Sequence, residues 1–292
     1  MADYSIWVVE YARVVEFARG ILTYGKWNDG TLVAPYCYAV IKGEDHLAVV
    51  DTGYNHVELG AELATGYGVS DWQPADVVLK RIGVDPADVD TMILTHNHFD
   101  HAGGVEFFPN AQVYIQAREV SKYMWASGLP DRLQWLTSAT DPDLMLWLVG
   151  RMKRGKLTLL EGESEIFPGL RCVPAHDTHT AGSQYVTIEN DRDGRWLLAG
   201  DNCYVYENFT GAYGDGRFTP IGLVFGSVER CVLTMEDMWQ YVGGEVTRIV
   251  PFHEQQIWNH FPTREFDDTL HVAELSLAAG EPSRVEGQVA VG

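Results

Sequence analysis

Long apolar runs are missing from this 292-residue chain. None approaches the ~20 residues needed to span a bilayer, so a transmembrane helix is not expected. Cysteine is scarce. Cys37, Cys172, Cys203 and Cys231 are widely spaced, with no CxxC pair, and read as free thiols in a reducing compartment. Basic residues are in deficit, 21 Lys plus Arg against 41 Asp plus Glu, for a formal net charge of −20. A field of that sign repels polyphosphate, so nucleic acid is not an expected partner. The opening residues, Met-Ala-Asp-Tyr-Ser-Ile-Trp, lack a basic region followed by an apolar one, so the expected location is the cytoplasm, with no membrane partner. No internal repeat is visible.

What is present is a globular composition, 46% hydrophobic and 21% charged, in a length ample to bury a core. The ten histidines are unevenly spread: three fall within His96-Asn97-His98-Phe99-Asp100-His101. Neutral imidazole and carboxylate are good ligands for zinc and similar divalent metals. Alternate residues of an extended or turning backbone point the same way, so His96 and His98 can grip one ion while Asp100 and His101 turn toward a second. The apolar stretch Val89–Thr95 just before them reads as a buried strand, a rigid mount for ligands.

Residues 5–17, β-branched and aromatic, read as strand, and 35–51 as a hairpin turning at Gly43-Glu44-Asp45. Val77, Val78 and Ile82 recur at helical spacing within 72–83, which ends at Gly83. Strands are expected at 112–116, 158–160, 170–173, 184–188, 196–199 and 247–252, and helices at 117–126, 228–242 and 263–279. Strands alternating with helices, with hairpins at the start of each half, point to an αβ/βα sandwich of two mixed β-sheets flanked by helices. The segment 128–156 carries Trp135, Leu144, Met145, Trp147, Leu148 and Met152. It reads either as an amphipathic helix on the core or a sister subunit of a homodimer, or as a lid over the substrate pocket; its basic cluster 151–156 reads as a solvated face.

The histidine run resembles that of the metallo-β-lactamase superfamily. Later stretches carry the resemblance on in order: His179-Thr180-Ala181-Gly182-Ser183, Trp196-Leu-Leu-Ala-Gly-Asp201 and Arg248-Ile-Val-Pro-Phe-His253, with Val49-Val-Asp51-Thr-Gly53 upstream. It covers about residues 35–260 and implies one domain over 1–292. It implies one metal held by His96, His98 and His179 and a second by Asp100, His101 and His253, with Asp201 bridging them together with a hydroxide. Two Zn2+ are expected, with Mn2+, Co2+ or Fe2+ as alternatives. His176, in Pro174-Ala175-His176, competes with His179 as the third ligand. Cys203 is a less expected ligand than a buried thiol, and Asp51 is expected to orient a ligating imidazole. His46, His56, His260 and His271 carry no motif.

The resemblance narrows further. The superfamily's oxygen reductases place glutamate where His98 stands, so histidine there favours hydrolysis. Tyr204, three residues after Asp201, is similar to a tyrosine of zinc-dependent N-acyl-homoserine lactonases whose hydroxyl meets the lactone carbonyl; Tyr206 is the alternative. The implied enzyme hydrolyses a small lactone or related carboxylic ester, with Asp100 relaying a proton. The alternatives are a glyoxalase-II-like thioesterase, an organophosphate hydrolase, and a non-catalytic metal-binding scaffold. The acid-rich 39 residues after His253 lower the first of these.

Overall fold

The computed structural model describes residues 3–285. Its strands run in chain order as β1 (Ser5–Ala18), β2 (Thr31–Lys42), β3 (Leu47–Val50), β4 (Val69–Ser70), β5 (Thr91–Ile93), β6 (Gln112–Gln116), β7 (Leu157–Leu160), β8 (Ser164–Phe167), β9 (Leu170–Pro174), β10 (Gln184–Asn190), β11 (Gly194–Gly200), β12 (Ile249–Pro251), β13 (Thr263–Glu265) and β14 (His271–Ser276). One sheet has the order β13-β14-β1-β2-β3-β5-β6-β7, with β4 paired to β1; the other is β12-β11-β10-β9-β8. Both are mixed. β3, β5, β6 and β7 are parallel neighbours, and β12 lies parallel to β11 in an otherwise antiparallel sheet.

The alternation of β1 fixes the layers, because successive side chains leave a strand on opposite faces. Trp7, Val9 and Tyr11 pack outward with Val78, Leu79 and Leu148 from two flanking helices, Ala75–Lys80 and Pro142–Lys153. Ile6 and Val8 pack inward against Cys172, Val186, Ile188 and Leu198 of the second sheet. That sheet's outer face holds Tyr185, Leu197 and Ala199 against Met235 and Met238 of the helix Val228–Tyr241. The result is the αβ/βα sandwich of two mixed sheets that the alternating pattern implies.

The expected helix over 263–279 is instead two strands, β13 and β14, antiparallel to each other. Leu270 and Val272 bury on the outer face of the first sheet, and Ala273 and Leu275 on the inner face. Ala, Leu and Glu favour a helix in isolation, but here the edge of β1 offers a backbone ladder, and pairing overrides that preference. Trp7 Nε1 donates to Glu274 Oε2 across the joint at 3.1 Å. The strand β8 and the helix Glu58–Tyr67 were not expected either.

The segment 128–156 divides. Asp131–Thr137 is a 3-10 turn, and Pro142–Lys153 is a helix capped by Asp141. Leu144, Met145 and Leu148 of that helix are core residues, Trp147 packs against the core, and Leu146, Val149 and Met152 are exposed. Arg151 leaves the expected solvated face: its buried guanidinium donates to the carbonyl oxygens of Phe108 and Pro109 and lies over the Trp147 ring.

Candidate metal centre

The motif residues follow strand ends on one rim of the sandwich. His96–His101 follows β5, His179 lies between β9 and β10, Asp201 follows β11 and His253 follows β12. Close loop approach needs glycine. Gly200, at φ +53, stands where a Cβ would lie 2.7 Å from Thr95, and a Cβ on Gly182 would lie 2.2 Å from the Glu119 nitrogen.

Two clusters form there: His96, His98, His179 and Asp201, and beside them Asp100, His101 and His253, with donor atoms in each within 4.8 Å of one another. Asp201 divides its oxygens between them. Oδ2 lies 3.2 Å from His179 Nε2 and 3.7 Å from His96 Nε2. Oδ1 lies 3.0 Å from His101 Nε2 and 3.3 Å from His253 Nε2. Asp100 Oδ2 stands 3.5 Å from His101 Nε2 and 3.7 Å from His253 Nε2. His176 is outside both clusters, as are His46, His56, His260, His271 and Cys203.

The far nitrogens of the rings are held from behind. His179 Nδ1 meets the Leu223 carbonyl at 2.9 Å, and His253 Nδ1 meets that of Pro35 at 2.9 Å. His101 Nδ1 meets Asp51 Oδ2 at 2.7 Å. Asp51 adopts a left-handed φ of 64° and also accepts from the Thr95 amide and hydroxyl. Such backing fixes the tautomer and aims the Nε2 lone pair inward.

This donor set fits divalent cations. Among the described residues, the buried Nε2 atoms of His96 and His101 and the Oδ1 of Asp201 make no well-aligned hydrogen bond, although the last two lie 3.0 Å apart. Nitrogens of His98 and His179 face each other at 2.9 Å. Donor atoms converging in this way could share a cation between them, and imidazole with carboxylate suits zinc. Burial, then neighbouring imidazoles, holds His96 and His98 well below the ordinary imidazole range, so they are neutral donors. Burial lowers His101 too, but Asp201, Asp100 and Asp51 outweigh it and hold the ring well above that range. Burial also raises Asp201, and His101, His253 and His179 outweigh it, leaving the carboxyl well below its usual value.

A cavity of about 600 Å³, counting its open mouth, lies over both clusters. Phe17, Ile21, Trp135 and Leu223 make its walls apolar, and Tyr36, Tyr67 and Tyr204 bring phenols to it. Tyr204 Oη lies 3.4 Å from His179 Nδ1. Burial first, then Asp201 and Asp100, pushes its pKa well up, so the phenol keeps its proton. Tyr206 is not on the cavity wall; its ring packs on His260. Trp135 is 70% exposed and stacks on Phe225 at 6.3 Å, whereas Met145 and Trp147 do not reach this cavity.

Two residues escaped the sequence reading. Glu119 is a buried carboxylate that accepts from the amides of Asn97 and Gly182, at 3.1 and 2.7 Å, and from the Thr180 hydroxyl at 2.9 Å. It thereby ties the loop of His96 and His98 to that of His179. Tyr36 is the other. Neither stands in a motif, and only their partners in space reveal them.

The metallo-beta-lactamase superfamily model matches residues 30–249. An N-acyl homoserine lactonase from Bacillus cereus is 29% identical over 183 residues, 60% of this chain and 66% of that protein. The N-acyl homoserine lactonase AiiB from Agrobacterium fabrum is 28% identical over 140 residues, 45% of this chain and 46% of that protein. The matched segments therefore span less than two thirds of those relatives' own lengths. A quorum-quenching N-acyl homoserine lactone lactonase of known structure superimposes with a TM-score of 0.64 at 19% identity, covering 88% of this chain and 94% of that one. Hydrolase AbOPH of the beta lactamase superfamily gives 0.66 at 18% identity, covering 96% of each chain. At such identities the structural likeness concerns the fold.

Proposed function

The chain belongs to the metallo-β-lactamase superfamily, and from that premise we propose that it is a two-metal hydrolase that opens a small lactone. The observation that carries the reading is Asp201, whose two oxygens face two separate ligand clusters beneath an apolar cavity that holds the Tyr204 phenol. The similarity to N-acyl homoserine lactonases supports the ester class. His96, His98 and His179 would hold one ion and Asp100, His101 and His253 the other, with Asp201 shared; zinc suits these donors, and manganese, cobalt or iron could replace it.

Bound there, two divalent cations would supply a hydroxide at neutral pH and polarise the ester carbonyl. The chain's residues do the rest. Tyr204 donates a hydrogen bond to the carbonyl oxygen as negative charge develops on it. Asp51, Leu223 and Pro35 keep three rings oriented through their Nδ1 atoms. Asp100, through the carboxylate oxygen left free of the ion, would take up the proton shed after addition to the carbonyl and pass it to the departing ring oxygen. The apolar walls exclude bulk water and receive the substrate's hydrocarbon part.

No helix among the described residues is long and apolar enough to cross a membrane. Four buried, unpaired cysteines support a reducing, cytoplasmic setting.

Elemental analysis paired with a panel of lactones, thioesters and phosphotriesters tests the reading. Two ions per chain, with lactones opened and activity lost to chelation, are expected. Two ions with hydrolysis of thioesters or phosphotriesters alone would move the substrate class, and at most one ion in fully loaded protein would sink the dinuclear assignment.

A further inference from the structure

Of the phenols that reach the cavity, the chemistry above uses only Tyr204. Tyr36 lies in β2, directly after Pro35, whose carbonyl backs His253. Its ring meets the His253 ring edge-on with centroids 4.8 Å apart, while Tyr204 packs on the same imidazole at 5.4 Å. Two phenols thus flank one candidate ligand.

Beyond that shared contact the two differ, since Tyr204 also reaches the other cluster. Tyr204 Oη approaches His179, in the cluster with His96 and His98. Tyr36 leans on His253, in the cluster with Asp100 and His101. Other buried tyrosines nearby do not line this cavity. Tyr11 donates to the Asp100 backbone carbonyl at 2.6 Å, and the buried hydroxyls of Tyr38 and Tyr54 find no partner among the described residues. Tyr36 is 3% exposed and lines the cavity, and its hydroxyl makes no hydrogen bond to another described residue. A phenol with an unused donor at a reaction cavity is free to donate to what binds there.

We propose that Tyr36 is a second catalytic hydrogen-bond donor, placed to meet the ring oxygen that leaves while Tyr204 meets the carbonyl oxygen. The inference rests on the ester-hydrolase reading. When hydroxide adds to the carbonyl carbon, the bond from that carbon to the ring oxygen breaks and its electron pair stays on the ring oxygen. Tyr36 donates a hydrogen bond to that oxygen and remains a phenol. The proton that neutralises the alkoxide comes from the newly formed carboxylic acid, by way of Asp100, so charge and protons balance.

The test uses two substrates that differ in leaving group. An aliphatic lactone expels a poor alkoxide that needs a donor; p-nitrophenyl acetate expels a stable phenolate that does not. Tyr36→Phe is expected to lower kcat on the lactone by ~10²-fold, the lower end for loss of one oxyanion donor, and to leave the aryl ester little changed. Tyr204→Phe should slow both. Metal content and melting temperature of Tyr36→Phe should match the parent. Equal slowing of both substrates, no slowing of either, or loss of metal in Tyr36→Phe would each overturn the role. If the parent cleaves esters but no lactone, an ethyl ester takes the lactone's place and the same contrast decides. A metal-loaded parent inert toward all of them overturns the ester-hydrolase reading, and the role of Tyr36 with it.

Discussion

At the scale of single residues, position matters more than type. His176 and His179 are three residues apart, yet only His179 turns its Nε2 toward Asp201, at 3.2 Å. His179→Ala should therefore strip metal, while His176→Ala leaves it bound; equal loss in the two variants, measured by elemental analysis, would reject the assignment. Glu119 offers a sharper test of how the site is built. Burial raises its pKa and three hydrogen bonds pull it partway back, so the carboxylate is worth keeping only for what it ties together. Glu119→Ala leaves the amides of Asn97 and Gly182 without an acceptor, at roughly 1–3 kcal/mol each, while the Thr180 hydroxyl falls back on Ser183 Oγ. A large drop in melting temperature together with weaker metal affinity is expected, partly rescued by Glu119→Gln. The histidines at 96, 98 and 101, which the structure places in the two clusters, stood out in the sequence because histidine is scarce and bunched there. Glu119 and Tyr36 did not, because acids and tyrosines are common here and the partners of Glu119 lie 22 to 63 residues away.

At the scale of elements, the stretch 128–156 joins two different tasks. Its 3-10 turn brings Trp135 to the cavity, and its helix inserts Leu148 into the core. Trp135→Ala is expected to change the order of preference among lactones of different size with little change in melting temperature. Leu148→Ala should cost about 2–5 kcal/mol, as large-to-small core changes do, and affect all substrates alike. The reverse pattern, read from a lactone series and thermal melts, would exchange the two roles. Most strands were legible because alternation and β-branched runs mark them locally. Residues 263–279 misled because their composition favours a helix while their partner, β1, lies at the other end of the sequence. No local window contains that information.

At the scale of the whole molecule, charge and burial make two further expectations. The net charge of −20 repels anions and leaves neutral esters untouched. Added salt screens that repulsion, so kcat/KM for an anionic ester should rise with ionic strength while that for a neutral lactone stays flat; a flat response for both would mean that the centre outweighs the surface field. Burial pushes Cys172 and Cys231 each up to about 12, and Cys37 and Cys203 well above the ordinary thiol range. Because the thiolate is the reactive form, a thiol reagent should label none of the four in native protein and all four after denaturation. Rapid native labelling at any one of them would show that the core opens there. The sandwich itself was legible, since one rim had to gather motifs spread from His96 to His253.

The pairing of β14 with β1 also sets a clock on biosynthesis. Trp7 and Glu274 are 267 positions apart, so the ribosome makes the outer edge of β1 long before the strand that pairs with it. Throughout that interval, the edge presents unpaired amides and carbonyls to other nascent chains. The last candidate ligand, His253, emerges only shortly before the strand that covers this edge. A chain interrupted between them would carry every candidate ligand and still display an open edge, so such fragments should aggregate or recruit chaperones rather than accumulate as small working enzymes.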